Sequence, residues 1–515
     1  MLLGDILEHG AETYADKPAL IFDSTTTSTF TFADILERSA QLSEALRATH
    51  QPGDRVAILS QNRTEYVEAY FGVPMAGLTL TLLNYRLSAR ELAGILADSG
   101  SRTLLVEGPY ASVGQELLNG VDTLERLIVI DPEAPLEDAT TYESLLQSGG
   151  DVTTFSSDGV TDADLAFLIY TSGTTGTPKG AGLTHRNLAA GMIGWLIASG
   201  KKNGDGVDLM PFPMCHIAGF GLVGSMLLGH TQVLQRAYDP VRFMSAVQTF
   251  GVTGAPMAPT MLSALMAHPE FDDFDLSTLE EISYGGSSMP VEILREAMSK
   301  FPNASFIQGY GMTELGTSVL CLDATAHRLA VAGREDLLAC AGRPVPTTRV
   351  RLVDEWMNPV ATGEVGEIVV KGDNVMTLYW GRPDATAESF TDGWFHTGDL
   401  GRATEDGYIA VVDRLKDMIV TGGENVYSRE VEDIIYQHPG VAEAAVIGVP
   451  DPKWGENVCA VIVKKPGAEF DESEIIDLCR SQLAGYKAPK VVRFADELPH
   501  NAAGKILKKS LRDLV

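Results

Sequence analysis

Cysteine is scarce in this chain of 515 residues: there are five, at positions 215, 321, 340, 459 and 479. Their number is odd, they are scattered, and no Cys-x-x-Cys pair occurs. That pattern argues against a disulfide scaffold or a zinc site and for a reducing compartment such as the cytoplasm. Basic residues are also few, 39 Lys and Arg against 69 Asp and Glu, which leaves a formal net charge of −30. A surface of that sign repels a nucleic-acid backbone and an anionic membrane face, so neither is an expected partner. No apolar run is long enough to cross a bilayer, and no integral membrane segment is expected. The opening MLLGDILEHGAET carries Asp5 and Glu8 and no basic region, unlike a signal peptide. The remainder is ordinary for a globular protein, 45% hydrophobic and 21% charged. The chain is too long for one core, so roughly two to four domains are expected.

Short β-like runs alternate with amphipathic runs through about the first 320 residues: RVAILS then TEYVEAYFGVPMAG, LTLTLL then SARELAGILADSG, LEEISYGG then PVEILREAMSKF. This alternation predicts an α/β fold with mostly parallel sheets. From about Arg349 to Val412 strands dominate, with turn signals at Gly363, Gly366 and Asp406-Gly407, which predicts a β-rich subdomain. The last hundred residues read as helix, two strands, helix, strand and a terminal helix in which Leu507, Leu511 and Leu514 recur at helical spacing. The expected division is a large N-terminal domain of several subdomains over residues 1–415 and a small α+β domain over 416–515.

Five stretches carry chemistry. YTSGTTGTPKG, residues 170–180, follows the apolar strand DLAFLIY and precedes a helix that Thr184 is placed to cap. Strand, Gly-rich loop, helix is a setting for binding an anion. The loop is not a Walker motif: counted from Gly173 its sixth residue is Pro178, and Lys179 is followed by Gly180. QGYGMTELG, residues 308–316, offers a flat ring at Tyr310, a hydroxyl at Thr313 and hard carboxylate oxygens for Mg²⁺ at Glu314. WFHTGDLG holds Asp399 in a Gly-flanked turn, where a carboxylate can accept from two ribose hydroxyls. DRLKD presents the guanidinium fork of Arg414. LPHNAAGKILKK places Lys505 directly after Gly504. Each stretch taken singly also fits an ordinary role: a glycine-rich connection, a strand-to-loop turn, an Asp turn, a solvated charge run, an exposed terminal lysine.

Taken in order they resemble the adenylate-forming superfamily of acyl-CoA synthetases, luciferases and peptide-synthetase adenylation domains. The resemblance covers nearly the whole chain. It implies two half-reactions: a carboxylate attacks the α-phosphorus of ATP to give acyl-AMP and pyrophosphate, then a thiol attacks the activated carbonyl and releases AMP. It further implies that Lys505 bridges substrate carboxylate, ribose and α-phosphate, that Thr313 touches the α-phosphate, and that Glu314 is the magnesium contact. Tyr310 matches the ring stacked on adenine, with Gln308, Gly309, Gly311 and the Gly285-Gly286-Ser287 turn around it. Asp399 and Arg414 match ribose ligands. Thr171, Ser172, Gly173, Thr174, Thr175 and Lys179 match the clamp on the β- and γ-phosphates. The family's small domain turns about a hinge that falls on Lys416 and brings in a loop, here Gly422-Gly423, beside the pantetheine tunnel. His216 matches a residue gating the acyl pocket, and its alternative is a satisfied core histidine. Trp195, Phe220, Met312 and Gly316 are the expected pocket walls. They are mostly apolar or small and include no cation, which favours a hydrophobic monocarboxylic acid, fatty or aryl.

The sequence departs from the family pattern at Ala181 and Gly182 after the loop and at His500 and Ala503 near the lysine. The expected partners are a carboxylic acid, ATP, Mg²⁺ and CoA, with self-association into a homo-oligomer left open. Two other readings compete with an acyl-CoA synthetase. One is an adenylating enzyme that loads a separate carrier protein, since no fused carrier domain follows the helix after Lys505. The other is a non-catalytic nucleotide-binding relative, against which Lys505 and Glu314 occurring together both argue.

Overall fold

Strands Arg55–Leu59, Thr79–Leu83 and Thr103–Glu107 read RVAIL, TLTLL and TLLVE and are buried along almost their whole length. Strands so uniformly buried need cover on both faces, and parallel sheets with crossover helices supply it. The computed structural model describes residues 1–132, 140–150, 157–171, 178–287, 289–500 and 506–512. Four sheets result. One has eight strands in the order 378–379, 179–184, 165–171, 79–83, 55–59, 103–107, 126–130 and 140–141, parallel from 165–171 onward. A second has nine strands in the order 343–344, 318–322, 305–311, 281–285, 254–257, 207–210, 231–235, 18–23 and 28–31. It is parallel between 305–311 and 18–23.

The two parallel sheets share one core. Phe167 of the first sheet and Tyr70 on helix Thr64–Met75 pack on Phe220, in a short turn that follows strand Val207–Met210 of the second, with Phe167 and Phe220 edge to face at 5.6 Å. The third sheet is antiparallel and joins Thr348–Val353, Val365–Gly372, Trp394–Ala403 and Ile409–Arg414. Gly407, at φ +81°, makes the hairpin after Asp406 as expected. The small C-terminal unit pairs Val441–Asp451 with Gly455–Lys464 and adds Val491–Ala495 in parallel. It has a core of its own, which includes Val431, Ile435, Val446, Ile462 and Ile475.

Three sequence expectations change. The loop after Tyr170 does not run into a helix. Lys179–Thr184 pairs antiparallel with Leu165–Thr171, Thr171 opposite Lys179, and only then does helix His185–Ser199 begin. A six-residue strand covers about 20 Å, so the helix N-terminus stands well away from the loop. Its end groups are engaged locally, since Thr184 Oγ1 accepts the Asn187 N–H at 3.1 Å and Asn187 Oδ1 accepts the Thr184 N–H at 2.9 Å. Gly366 is not a turn residue. It lies inside Val365–Gly372, where a Cβ would stand 2.8 Å from the backbone of Val353, and the turn belongs to Gly363 at φ +88°. The terminal helix spans Lys508–Arg512 and packs through Leu511, whereas Leu507 is 36% exposed and Leu514 lies outside the described residues.

Candidate active site

The site gathers at the C-terminal end of strand Ser305–Gly311. Gly309 faces Gly285 in register, and a Cβ on Gly285 would collide with the Gly309 carbonyl. Bare backbone at this point lets the two strands approach closely beside Tyr310. Tyr310 donates from its hydroxyl to Asp399 Oδ2 at 2.7 Å. Arg414 lies opposite Asp399 across the antiparallel ladder, with Nε 3.4 Å from Oδ1. Burial, and then the Asp399 carboxylate, drive the Tyr310 phenol well above its ordinary pKa, so it stays a donor. A flat ring, an acidic group and a guanidinium fork therefore share one contact network. Gln308 is nearly buried, and its Oε1 lies 3.4 Å from the hydroxyl of Tyr284, which in turn meets His327 Nε2 at 2.9 Å. Gly286, at φ +82°, and Ser287 form the exposed turn beyond Gly285.

Thr313 opens the short turn Thr313–Leu315, which buries Glu314. Glu314 Oε1 accepts from Thr171 Oγ1 at 3.2 Å and from the Tyr379 hydroxyl at 3.0 Å. Lys179 Nζ lies 5.2 Å from the Tyr379 ring centroid. The carboxylate thus sits where the nine-stranded sheet meets the edge of the eight-stranded one, beside both ends of the Thr/Gly stretch. Ser172, Gly173, Thr174 and Thr175 lie outside the described residues, as does Lys505. No group of three or more His, Cys, Asp or Glu side chains converges among the described residues. One buried hard-oxygen carboxylate still fits Mg²⁺, which is often held by one or two carboxylates together with substrate phosphates.

His216 precedes the turn Ile217–Phe220, half-buried. Its loop is held from the other sheet: Asn62 Nδ2 donates to the Phe212 carbonyl at 2.9 Å, and Asn62 Oδ1 accepts the Met214 N–H at 2.8 Å. The Tyr70 hydroxyl donates to the Met214 carbonyl. Phe220, expected as a pocket wall, is 1% exposed and spends its ring on Phe167 and Tyr70. It backs the His216 turn from the core, because the sheet-to-sheet seam has more apolar surface to offer it. Trp195 lies across Gly309: a Cβ there would be 3.0 Å from its Cζ3. Met312 is partly buried against the main core, and Gly316, at φ +70°, leaves room for the Asn374 carbonyl.

In the small unit, Gly422 and Gly423 have φ of +62° and +87° and close the tight turn that pairs Thr421 with Glu424. The Gly422 N–H donates to the Trp454 carbonyl at 2.7 Å. Lys416 sits between the third and fourth sheets, where burial and then the Arg414 guanidinium lower its pKa.

Three residues escaped the sequence reading. Tyr379 shares Glu314 with Thr171. Asn62 carries the His216 loop. Asp98 takes the Tyr170 hydroxyl at 2.7 Å and Arg382 Nη2 at 2.6 Å, fixing the strand before the Thr/Gly stretch and the segment after Tyr379. Each is a contact between segments far apart in sequence, and no local motif marks it.

A family model described as AMP-binding enzyme matches residues 7–380, and one described as AMP-binding enzyme C-terminal domain matches residues 430–505. A feruloyl-CoA synthase of Amycolatopsis sp is 42% identical over 94% of this chain and 93% of its own. A long-chain-fatty-acid–CoA ligase of Salmonella typhimurium is 36% identical over 99% and 94%. Among solved structures, an anthranilate CoA ligase, AuaEII, in complex with anthranoyl-AMP superposes with a TM-score of 0.90 at 26% identity, covering 100% of this chain and 97% of that one. No helix among the described residues is long and apolar enough to cross a membrane. With family models matching most of its length, the chain belongs to the AMP-binding enzyme family of adenylate-forming proteins.

Proposed function

We propose that this protein is an acyl-CoA synthetase that activates a hydrophobic carboxylic acid with ATP and passes it to CoA. The observation that carries the reading is the meeting of Tyr310, Asp399 and Arg414 beside a buried Glu314 bonded to Thr171 and Tyr379. The first cluster suits adenosine and the second suits the phosphate end of the same nucleotide. In the first half-reaction the acid's carboxylate oxygen bonds to the α-phosphorus as the bond to pyrophosphate breaks. Two anions approach, so positive charge has to be in place before they meet. Lys505 supplies it at the α-phosphate, with Thr313 as a hydroxyl contact. Ser172, Gly173, Thr174, Thr175 and Lys179 hold the departing phosphates. Glu314 would hold Mg²⁺ together with the nucleotide, and the ion would neutralise phosphate charge there.

In the second half-reaction the CoA thiol bonds to the acyl carbon and AMP leaves. The domains divide at residues 415 and 416, and the small one turns about Lys416, withdrawing Lys505 and bringing Gly422-Gly423 beside the thiol's path, where small residues admit close approach. His216 gates the acyl pocket, and Trp195 across Gly309 closes its inner end. A hydroxycinnamate-like acid is the first candidate substrate, on the kinship with a feruloyl-CoA synthase, and a fatty acid is the second. Scarce, scattered cysteines support a cytoplasmic setting.

Purified protein incubated with ATP, Mg²⁺, CoA and a panel running from ferulate to palmitate tests the reading. Acid-dependent pyrophosphate release with matching acyl-CoA is expected for at least one hydrophobic acid. Pyrophosphate release without acyl-CoA, with transfer only to a carrier protein, would overturn the acceptor. No acid-dependent release from any member would overturn the activity.

A further inference from the structure

The end of the chain returns to the adenosine site through buried polar groups that neither half-reaction uses directly. Helix Lys508–Arg512 begins three residues after Lys505. Lys508 Nζ stands 2.7 Å from Glu432 Oε1 and donates to Ser428 Oγ. Ser428 is fully buried at the head of helix Ser428–Ile435. Its hydroxyl donates to Asp413 Oδ1 at 3.1 Å and its N–H donates to Asp413 Oδ2. Asp413 directly precedes Arg414, and its Oδ1 also accepts the Arg414 N–H at 2.7 Å. The sequence Lys508, Ser428, Asp413 therefore ends on the strand that sets Arg414 against Asp399.

Burial disfavours an ammonium at Lys508, but Glu432 and Asp413 outweigh it and the pKa is raised, so the group is held charged. Burying charge is costly, and fixing one arrangement is a recognised use of it. Ser428, Glu432 and Lys508 all follow Lys416, and Asp413 precedes it. A turn about Lys416 would carry the first three together and part Ser428 from Asp413. Arg429 Nη1 on the Val411 carbonyl at 2.8 Å and Arg512 on Asp417 at 3.3 Å sit at the same junction.

We propose that Lys508 is a positioning residue for acyl-AMP formation: through Ser428 and Asp413 it seats the small unit against strand Ile409–Arg414, the strand that sets Arg414 against Asp399. The inference rests on the proposed role of Lys505. Full-length Lys508→Met keeps the aliphatic stem and removes the ammonium, and Lys508→Arg restores a charged donor. Both are assayed beside wild type and Lys505→Ala for acid-dependent ATP–pyrophosphate exchange, for thioester formation from supplied acyl-AMP, and for melting temperature. Lys508→Met is expected to lower exchange about tenfold or more while thioester formation stays within about twofold, and Lys508→Arg to recover most of the loss. Equal loss in both half-reactions, or no loss in either, would overturn the inference. If Lys505→Ala separates the half-reactions and Lys508→Met does not, only the role of Lys508 falls. If Lys505→Ala itself fails to separate them, the reading beneath it falls as well.

Discussion

The Tyr310 hydroxyl donates to Asp399 Oδ2 at 2.7 Å across 89 positions of sequence and between two different sheets. The bond places the ring and the carboxylate as one preformed unit. A hydrogen bond to a charged acceptor contributes about 1.5–3 kcal/mol. Tyr310→Phe keeps the ring and loses that bond. KM for ATP is expected to rise about tenfold, with KM for the acid nearly unchanged. Steady-state kinetics with each substrate varied in turn checks this. An unchanged KM for ATP would show that the pair does not shape the nucleotide site.

Glu314 collects Thr171 and Tyr379 on one oxygen. Glu314→Gln removes the charge at nearly constant shape. Acyl-AMP formation is expected to fall about a hundredfold, in line with the loss of one preorganised electrostatic group, and the Mg²⁺ concentration for half-maximal rate should rise. Tyr379→Phe should give a smaller loss in the same direction. A Mg²⁺ titration of pyrophosphate exchange reads both, and an unaltered Mg²⁺ dependence in Glu314→Gln would remove Glu314 from the metal.

Asn62 spans the Phe212 carbonyl and the Met214 N–H from the neighbouring sheet, fully buried. Asn62→Ala leaves the buried Met214 N–H unpaired, at about 1–3 kcal/mol, loses the part-buried bond to the Phe212 carbonyl, and frees the loop that carries His216. KM for the acid should rise while KM for ATP holds. Parallel increases in both would mean that the loop serves the fold and not the acyl pocket.

The parallel sheets were legible because strands such as RVAIL are apolar on both faces, and the hairpin at Asp406-Gly407 because its turn needs a positive φ. The Thr/Gly stretch misled in one respect. The strand KGAGLT lacks an alternating pattern, since Gly180 and Gly182 leave space for Leu168 and Leu378, and it reads as loop. Tyr310, Glu314, Asp399 and Arg414 stood out as motif residues, and the structure brings them into two adjoining contacts. Tyr379 and Asn62 could not be found that way. Tyr379 meets Glu314 across 65 positions and Asn62 meets Phe212 across 150, and both meetings depend on how one sheet edge sits against another.

His185 ties the N-terminus to the first core: its Nδ1 accepts the Leu3 N–H at 3.1 Å. Burial pushes its pKa down from 6.5 to about 4. Between those values the unfolded chain binds the proton and the folded one does not. The contribution is therefore complete above pH 6.5 and is lost as pH falls toward 4, up to about 3 kcal/mol at 1.36 kcal/mol per unit. His185→Gln should flatten that part of the stability curve. Chemical denaturation at pH 7, 5.5 and 4.5 checks it, and identical pH slopes in variant and wild type would contradict it.

The most direct measurement compares the two half-reactions in Lys505→Ala. Acid-dependent ATP–pyrophosphate exchange is expected to collapse by about a hundredfold or more, while supplied acyl-AMP still yields acyl-CoA at close to the wild-type rate. Equal loss in both steps, or exchange that survives the substitution, would contradict it.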